Sequence, residues 1–168
     1  LQLPAEPETL STLSVPSDGR LFRVYRAIRQ GLSLHEISEA TGYDLWFLAQ
    51  LKEIETRELE IRDCTSEPEL RYVLRGAKQM GFADSHIARL RSTFHSSLST
   101  ADVRTLRKQL NILPTFQRVD TCAAEFESQT PYLYSAYEME DESRPTDKQK
   151  ILILGGGPNR IGQGIEFD

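Results

Sequence analysis

The residue run most able to meet a phosphate lies near the end of the sequence, where Ile151-Leu152-Ile153-Leu154 stops in Gly155-Gly156-Gly157 and continues Pro158-Asn159-Arg160-Ile161-Gly162-Gln163-Gly164. A short apolar run breaking into glycines reads as a buried strand feeding a tight turn. Glycines let a backbone approach a ligand closely, and the N-terminus of a following helix offers free N–H groups to an anion. The spacing departs from the dinucleotide fingerprint, because Arg160 stands where a third glycine belongs. No Gly-Lys-Ser/Thr follows, which excludes a Walker loop. Two readings stay open here: a nucleotide-phosphate site, or close backbone packing in a doubly wound α/β domain.

Other chemistry-bearing side chains are sparse. His35, His86 and His95 have no acidic or cysteine neighbour at ligand or triad spacing and read as surface or capping histidines. Cys64 and Cys122 lie far apart without metal-ligand spacing, which points to two reduced thiols rather than a disulfide or a zinc site. Glu125 and Glu127 share a face in an extended segment, without further support for a catalytic pair. Trp46-Phe47 reads first as core packing, with a partner anchor as the alternative.

These residues need elements to position them. Leu21, Val24, Tyr25 and Ile28 make one helical stripe, preceded by Asp18 and stopped by Gly31. Ser33 with Glu36 has capping-box spacing, with Leu32 and Ile37 as its staple, and opens a helix ending near Gly42. Asp44 caps a helix carrying Phe47, Leu48, Leu51 and Ile54 to about Arg62. Ser66 with Glu69 predicts a second box and a helix stopping at Gly81. Asp84 starts a short helix through Ile87 and Leu90. Ser99 with Asp102, stapled by Leu98 and Val103, starts the last, which ends before Pro114. The expected fold class is mainly α: a six-helix domain over residues 18–113, after an extended lead-in at 1–17 marked by Pro4, Pro7 and Pro16.

Past Pro114 the helical stripe disappears. Thr115 to Glu125 and Tyr132-Leu133-Tyr134 read as extended, and Glu138 to Lys150 as a polar surface linker, giving a connector over residues 114–149. Residues 150–168 then begin an α/β domain. A strand and a turn cannot make a domain, so the expectation is a piece of a longer chain.

Charge is zoned. The net charge is −5, but residues 36–69 hold ten acids against Lys52, Arg57 and Arg62, and residues 71–110 hold eight basic residues against Asp84 and Asp102. Such a middle zone invites a stand-alone helical interaction or nucleic-acid-binding reading. The link Ser92–Leu98 is too long for a helix-turn-helix, so opposite faces meeting within one assembly is the alternative. No apolar stretch reaches the roughly 18 residues that span a bilayer, and a cytoplasmic protein without membrane or nucleic-acid partners is expected.

Two longer motifs narrow this further. Val119-Asp120-Thr121-Cys122-Ala123-Ala124-Glu125-Phe126 and the run from Lys150 through Gly155-Gly156-Gly157-Pro158-Asn159-Arg160-Ile161-Gly162-Gln163-Gly164 to Ile165-Glu166-Phe167-Asp168 resemble the large subunit of carbamoyl phosphate synthetase. Arg29-Gln30-Gly31-Leu32-Ser33 and Asp44-Leu45-Trp46-Phe47-Leu48 resemble the same family's helical domain, and the resemblance covers about residues 18–168.

The resemblance implies an ATP-dependent carbon–nitrogen ligase in which a helical oligomerisation domain joins two ATP-grasp halves. Such an enzyme makes carbamoyl phosphate from bicarbonate, glutamine-derived ammonia and two ATP, for pyrimidine and arginine synthesis. The segment would be the joining domain plus the first strand and glycine turn of a pre-ATP-grasp domain, inactive by itself. ATP and Mg²⁺ or Mn²⁺ would bind elsewhere in the parent, with no catalytic, cofactor or metal residue here. Implied partners are the remainder of the chain, a glutaminase small subunit or domain, and further copies in a homo-oligomer. The resemblance also makes Gly164 line a carbamate tunnel. Asp120, Thr121, Cys122, Glu125 and Phe126 are read as interdomain packing, with the Cys122 thiol a small buried hydrophobe.

Overall fold

A computed structural model of the chain describes residues 7–92 and 98–152. It divides into two compact units, Leu1–Asn111 and Ile112–Asp168. Among the described residues the first unit is helical throughout: α1 Leu10–Leu13, α2 Arg20–Arg29, α3 Leu34–Thr41, α4 Leu45–Asp63, α5 Glu67–Gln79, α6 Asp84–Ser92 and α7 Thr100–Gln109.

Local chemistry sets most of these boundaries. Ser33 accepts from the Glu36 backbone N–H while Glu36 reaches back to the Ser33 N–H, and Ser99 with Asp102 does the same for α7. Between α3 and α4 the chain reverses within three residues. Gly42 sits at φ 73° and returns its N–H to the Ser38 carbonyl at 2.8 Å. That left-handed conformation suits glycine. Asp44 then caps α4 by accepting the Trp46 N–H at 2.8 Å.

The box expected at Ser66 does not form. Ser66 is the N-cap of α5 but gives no side-chain cap. The Ser66 hydroxyl donates instead to Glu69 Oε2 at 3.4 Å, and the same oxygen accepts the Thr65 N–H at 3.4 Å.

The 19-residue α4 is the spine: it packs against α2, α3, α5 and α6, and α6 packs against α7. Leu13, Val24, Ala27, Ile28, Ile37 and Leu48 form one buried cluster, with Leu10, Leu32, Leu34, Tyr43 and Leu51 packed onto it. Each Leu or Ile so buried contributes about 1.5–3 kcal/mol relative to exposure. Ile61, Val73, Leu74, Ala77, Ile87 and Val103 are buried on the later helices.

Of the lead-in expected over residues 1–17, the described residues 7–17 are not free but packed. Thr9 and Thr12 cap each other around α1, whose Leu13 is fully buried. The buried Glu8 carboxylate takes Arg23 Nε at 3.1 Å and Arg26 Nε at 2.9 Å, and Arg26 Nη2 also reaches it. Arg20 donates to the carbonyls of Leu13 at 2.8 Å and Thr41 at 2.9 Å, so α1 and the end of α3 are tied to the start of α2. Burial pushes the Glu8 carboxyl up, but the hydrogen bonds from Arg26 and Arg23 outweigh it and hold the group below the usual carboxylate range.

The second unit contains an antiparallel pair, β1 Thr115–Arg118 and β2 Leu133–Ala136, with Thr115 opposite Ala136 and Arg118 opposite Leu133. The extended stretch expected through Glu125 ends at Arg118 as a strand. Ala123 and Ala124 turn the chain with φ of 52° and 60°. Ile151 and Leu152 are exposed and outside any strand, and the rest of the expected strand and the whole glycine turn, Gly155, Gly156, Gly157, Gly162 and Gly164, lie outside the described residues.

Candidate functional site

The most distinctive surface of the helical unit is apolar. Leu21 and Phe22 on α2 are exposed, and so are Leu45, Trp46 and Phe47 at the start of α4, the last two at 62% and 60%. Core packing was the first expectation for Trp46-Phe47, and the structure corrects it. Leu48 turns into the core, while its two predecessors project outward with their rings 4.9 Å apart, edge to face. Beside them runs a groove of about 530 Å³, lined by Leu21, Tyr43, Phe47 and Leu51, with Gly42, Asp44 and Gln50 at its border. Asp44, the one charged side chain there, already caps Trp46. The Arg20 guanidinium lies 5.3 Å from the Tyr43 ring centroid and steadies its orientation.

A second constellation is charged and internal. Glu58 on α4 is buried, with Oε1 3.0 Å from His86 Nε2 on α6 and Oε2 3.8 Å from Arg29 Nε on α2. His86 also stacks on Phe82 at 5.3 Å. Burial first, then the Glu58 charge, push the nearby Tyr25 hydroxyl well above its ordinary pKa. These groups link α2, α4 and α6 across the unit, and His86 is therefore part of an inter-helix lock rather than a plain surface histidine.

Three of the eight basic residues in the middle zone, Lys78, Arg91 and Arg107, are engaged inside the unit. Asp84 receives Lys78 Nζ at 3.0 Å and Arg107 Nε at 2.8 Å. Burial pushes the Asp84 carboxyl up, but these hydrogen bonds, Arg107 foremost, hold it below the usual range. Arg91 Nη1 donates to the Ile61 carbonyl at 3.0 Å and to Cys64 Sγ at 3.1 Å, closing the C-terminal end of α4.

In the second unit, Asp120 organises the turn after β1. Its Oδ1 accepts the Cys122 N–H at 2.8 Å and its Oδ2 the Ala124 N–H at 2.7 Å. The Thr121 hydroxyl lies 3.3 Å from that of the buried Ser128, which donates to the Val119 carbonyl at 3.0 Å. Cys122 is half-buried rather than buried, Glu125 is exposed, and Phe126 is 76% exposed. Asp120, Thr121 and Cys122 thus meet in one turn, while Phe126 projects from it.

Comparison with known proteins gives this geometry a context. Residues 2–111 match the family model described as carbamoyl-phosphate synthetase large chain, oligomerisation domain. The chain belongs to that family. It is 49% identical over 160 residues to the carbamoyl phosphate synthase large chain of Deinococcus radiodurans, covering 95% of this chain and 15% of that protein. It is 47% identical over 163 residues to the large chain of Methanothermobacter thermautotrophicus, covering 96% and 15%. To the chloroplastic arginine-specific large chain of Arabidopsis thaliana it is 46% identical over 157 residues, covering 94% and 13%. The chain therefore spans about one-seventh of the length of these curated relatives.

The matched oligomerisation domain coincides with the helical unit that carries the apolar face. The stand-alone nucleic-acid reading is not favoured. Among the described residues no group of three or more His, Cys, Asp or Glu side chains is arranged to hold a metal ion. No described helix is long and apolar enough to cross a membrane. Sequence reasoning missed the Glu8 clamp and the Glu58–His86 contact, whose partners stand 15 to 28 residues apart with no local pattern to join them.

Proposed function

We propose that this chain is the joining and oligomerisation segment of a glutamine-hydrolysing carbamoyl phosphate synthase. Its parent consumes two ATP with Mg²⁺ or Mn²⁺ and makes carbamoyl phosphate from bicarbonate and glutamine-derived ammonia, in the cytoplasm, for arginine and pyrimidine synthesis. The observation that carries this reading is identity near one half to large chains over at least 94% of the sequence.

In this reading the segment does no chemistry. The helical unit holds two ATP-grasp halves and further copies together, and a glutaminase small subunit or domain supplies ammonia. Residues 114–149 connect to the pre-ATP-grasp domain that begins near residue 150. Asp120 shapes a turn that presents Phe126 for packing against another domain, and Thr121, Cys122 and Glu125 belong to the same contact. Gly164 lines the carbamate passage, where any side chain would narrow a route that must stay dry.

The test uses the full-length large chain with its glutaminase. Wild type should form carbamoyl phosphate from glutamine, bicarbonate and ATP, and inability to do so would end the reading. With Gly164→Phe, bicarbonate-dependent ATP hydrolysis should persist while carbamoyl phosphate output falls. Unchanged output from that variant would remove the tunnel role.

A further inference from the structure

Arg20, Arg23, Arg26 and Gln30, along one face of α2 and its C-cap, are all committed to one short neighbouring segment. Arg23 and Arg26 donate to the buried Glu8 carboxylate, and Gln30 Oε1 accepts the Glu8 N–H at 3.0 Å. Arg20 donates to the Leu13 carbonyl at 2.8 Å and to that of Ser14 at 3.4 Å. Positions 20, 23, 26 and 30 recur at helical spacing, so α2 presents a polar track with residues 8–14 laid along it. We infer that residues 8–14 are a strap that closes on this track and opens from it as one unit, with Glu8 as the pin and Leu13 as the seat. The inference goes beyond the joining role proposed above and does not depend on it.

Three observations carry it. First, the strap has no structure of its own to fall back on. Its helix α1 is four residues long, far below the roughly 12–15 that an isolated helix needs in water. The mutual caps of Thr9 and Thr12, and the 3.1 Å bond from the Leu13 N–H to the Thr9 carbonyl, therefore form only while Leu13 sits in the buried cluster. Docking and folding of the strap are a single event.

Second, the other helices keep their contacts when the strap leaves. α1 packs against α2 and α3, but those two also pack on each other and on α4. Arg20 retains its 2.9 Å bond to the Thr41 carbonyl, which holds the end of α3 to α2 without the strap.

Third, the clamp sets register more than strength. Taking a carboxylate and two guanidinium groups out of water costs much of what their attraction returns. On opening, all three regain hydration and no buried charge is stranded. Removing the Glu8 charge alone is different, because the closed strap then leaves Arg23 and Arg26 short of an acceptor and closure weakens. A pull on the chain ahead of Glu8 is thus taken up at the α2 track before it reaches the spine α4.

The test is native-state hydrogen exchange on the full 168-residue chain. It compares the amides of Leu13 and Ser14 in the strap with those of Leu51 and Glu55 inside α4. In wild type the strap pair should share one opening and be at least about tenfold less protected than the α4 pair. Glu8→Gln should lower strap protection at least about tenfold further, the loss of one charge-assisted hydrogen bond, and leave the α4 pair unchanged. Gln30→Ala removes only the acceptor of the Glu8 N–H and should still lower protection at Leu13 and Ser14 about three- to tenfold.

Strap amides as well protected as the α4 pair in wild type overturn the inference, because the segment then opens only with the whole unit. A Glu8→Gln chain that loses α4 protection in step, or that does not fold, overturns it for the same reason. Leu13 and Ser14 amides unmoved by both substitutions overturn the pin and the single opening together.

Discussion

The helical unit and the hairpin unit are held together by different physics. In the first, buried aliphatic side chains from α1 to α4 form a cluster, and two carboxylates that enter the interior each meet two basic partners: Glu8 with Arg23 and Arg26, Asp84 with Lys78 and Arg107. Among the described residues of the second, few apolar side chains are buried. The scaffold is a four-residue strand pair plus hydrogen bonds from Asp120, Ser128 and Thr130 to the backbone. A two-stranded sheet alone is marginal in water. The contrast teaches that one unit carries its own stability while the other trades a core for a shaped, polar, largely exposed loop.

The sharpest way to break this contrast is to remove core volume. Leu48→Ala should cost about 2–5 kcal/mol in urea unfolding of the helical unit. Phe126→Ala, at a 76% exposed position, should stay within about 0.5 kcal/mol. Equal losses would erase the distinction.

Acid is the next probe. The Asp84 carboxyl titrates lower folded than unfolded, where its ordinary value is about 3.9. Its stabilisation is therefore complete above that value and is lost as pH falls through the lower folded one, and Glu8 acts in the same direction. Unfolding free energy of the helical unit should drop below about pH 4. Asp84→Asn should flatten part of that acid limb and cost about 1.5–3 kcal/mol at neutral pH. A variant with an unchanged acid limb would show that the Lys78 and Arg107 contacts do not bear on stability.

The smallest global effect belongs to the hairpin unit. Asp120→Ala should speed hydrogen exchange at the Cys122 and Ala124 amides by at least about tenfold, since each loses a charged acceptor. Melting of the helical unit should not move. A shifted melt would mean that the two units unfold together.

What could be read in the sequence was mostly local. Ser33 with Glu36, Ser99 with Asp102, Asp44, and the glycines at 31, 42 and 81 place helix ends through contacts within a few residues, and these ends agree with the structure. Ser66 failed because the Glu69 carboxylate takes the Ser66 hydroxyl and the Thr65 N–H instead, so neither half of the box closes. The four residues of α1 are too few to show a period, so the helix stayed hidden until the burial of Leu13 exposed it. Trp46-Phe47 misled for a different reason. Adjacent helix positions lie about 100° apart, so a stripe through Leu48 and Leu51 says little about which edge of a wide apolar arc faces solvent. Glu58 with His86 joins residues 28 apart, a relation that only the packing of α4 on α6 creates.

The paired left-handed alanines after Asp120 restrict what this loop can become. At Ala123 and Ala124, with φ of 52° and 60°, branched side chains would crowd the backbone, while glycine or asparagine would be accommodated. The loop's permitted vocabulary is thus short, and its contour survives only through residues small enough to bend against their own handedness.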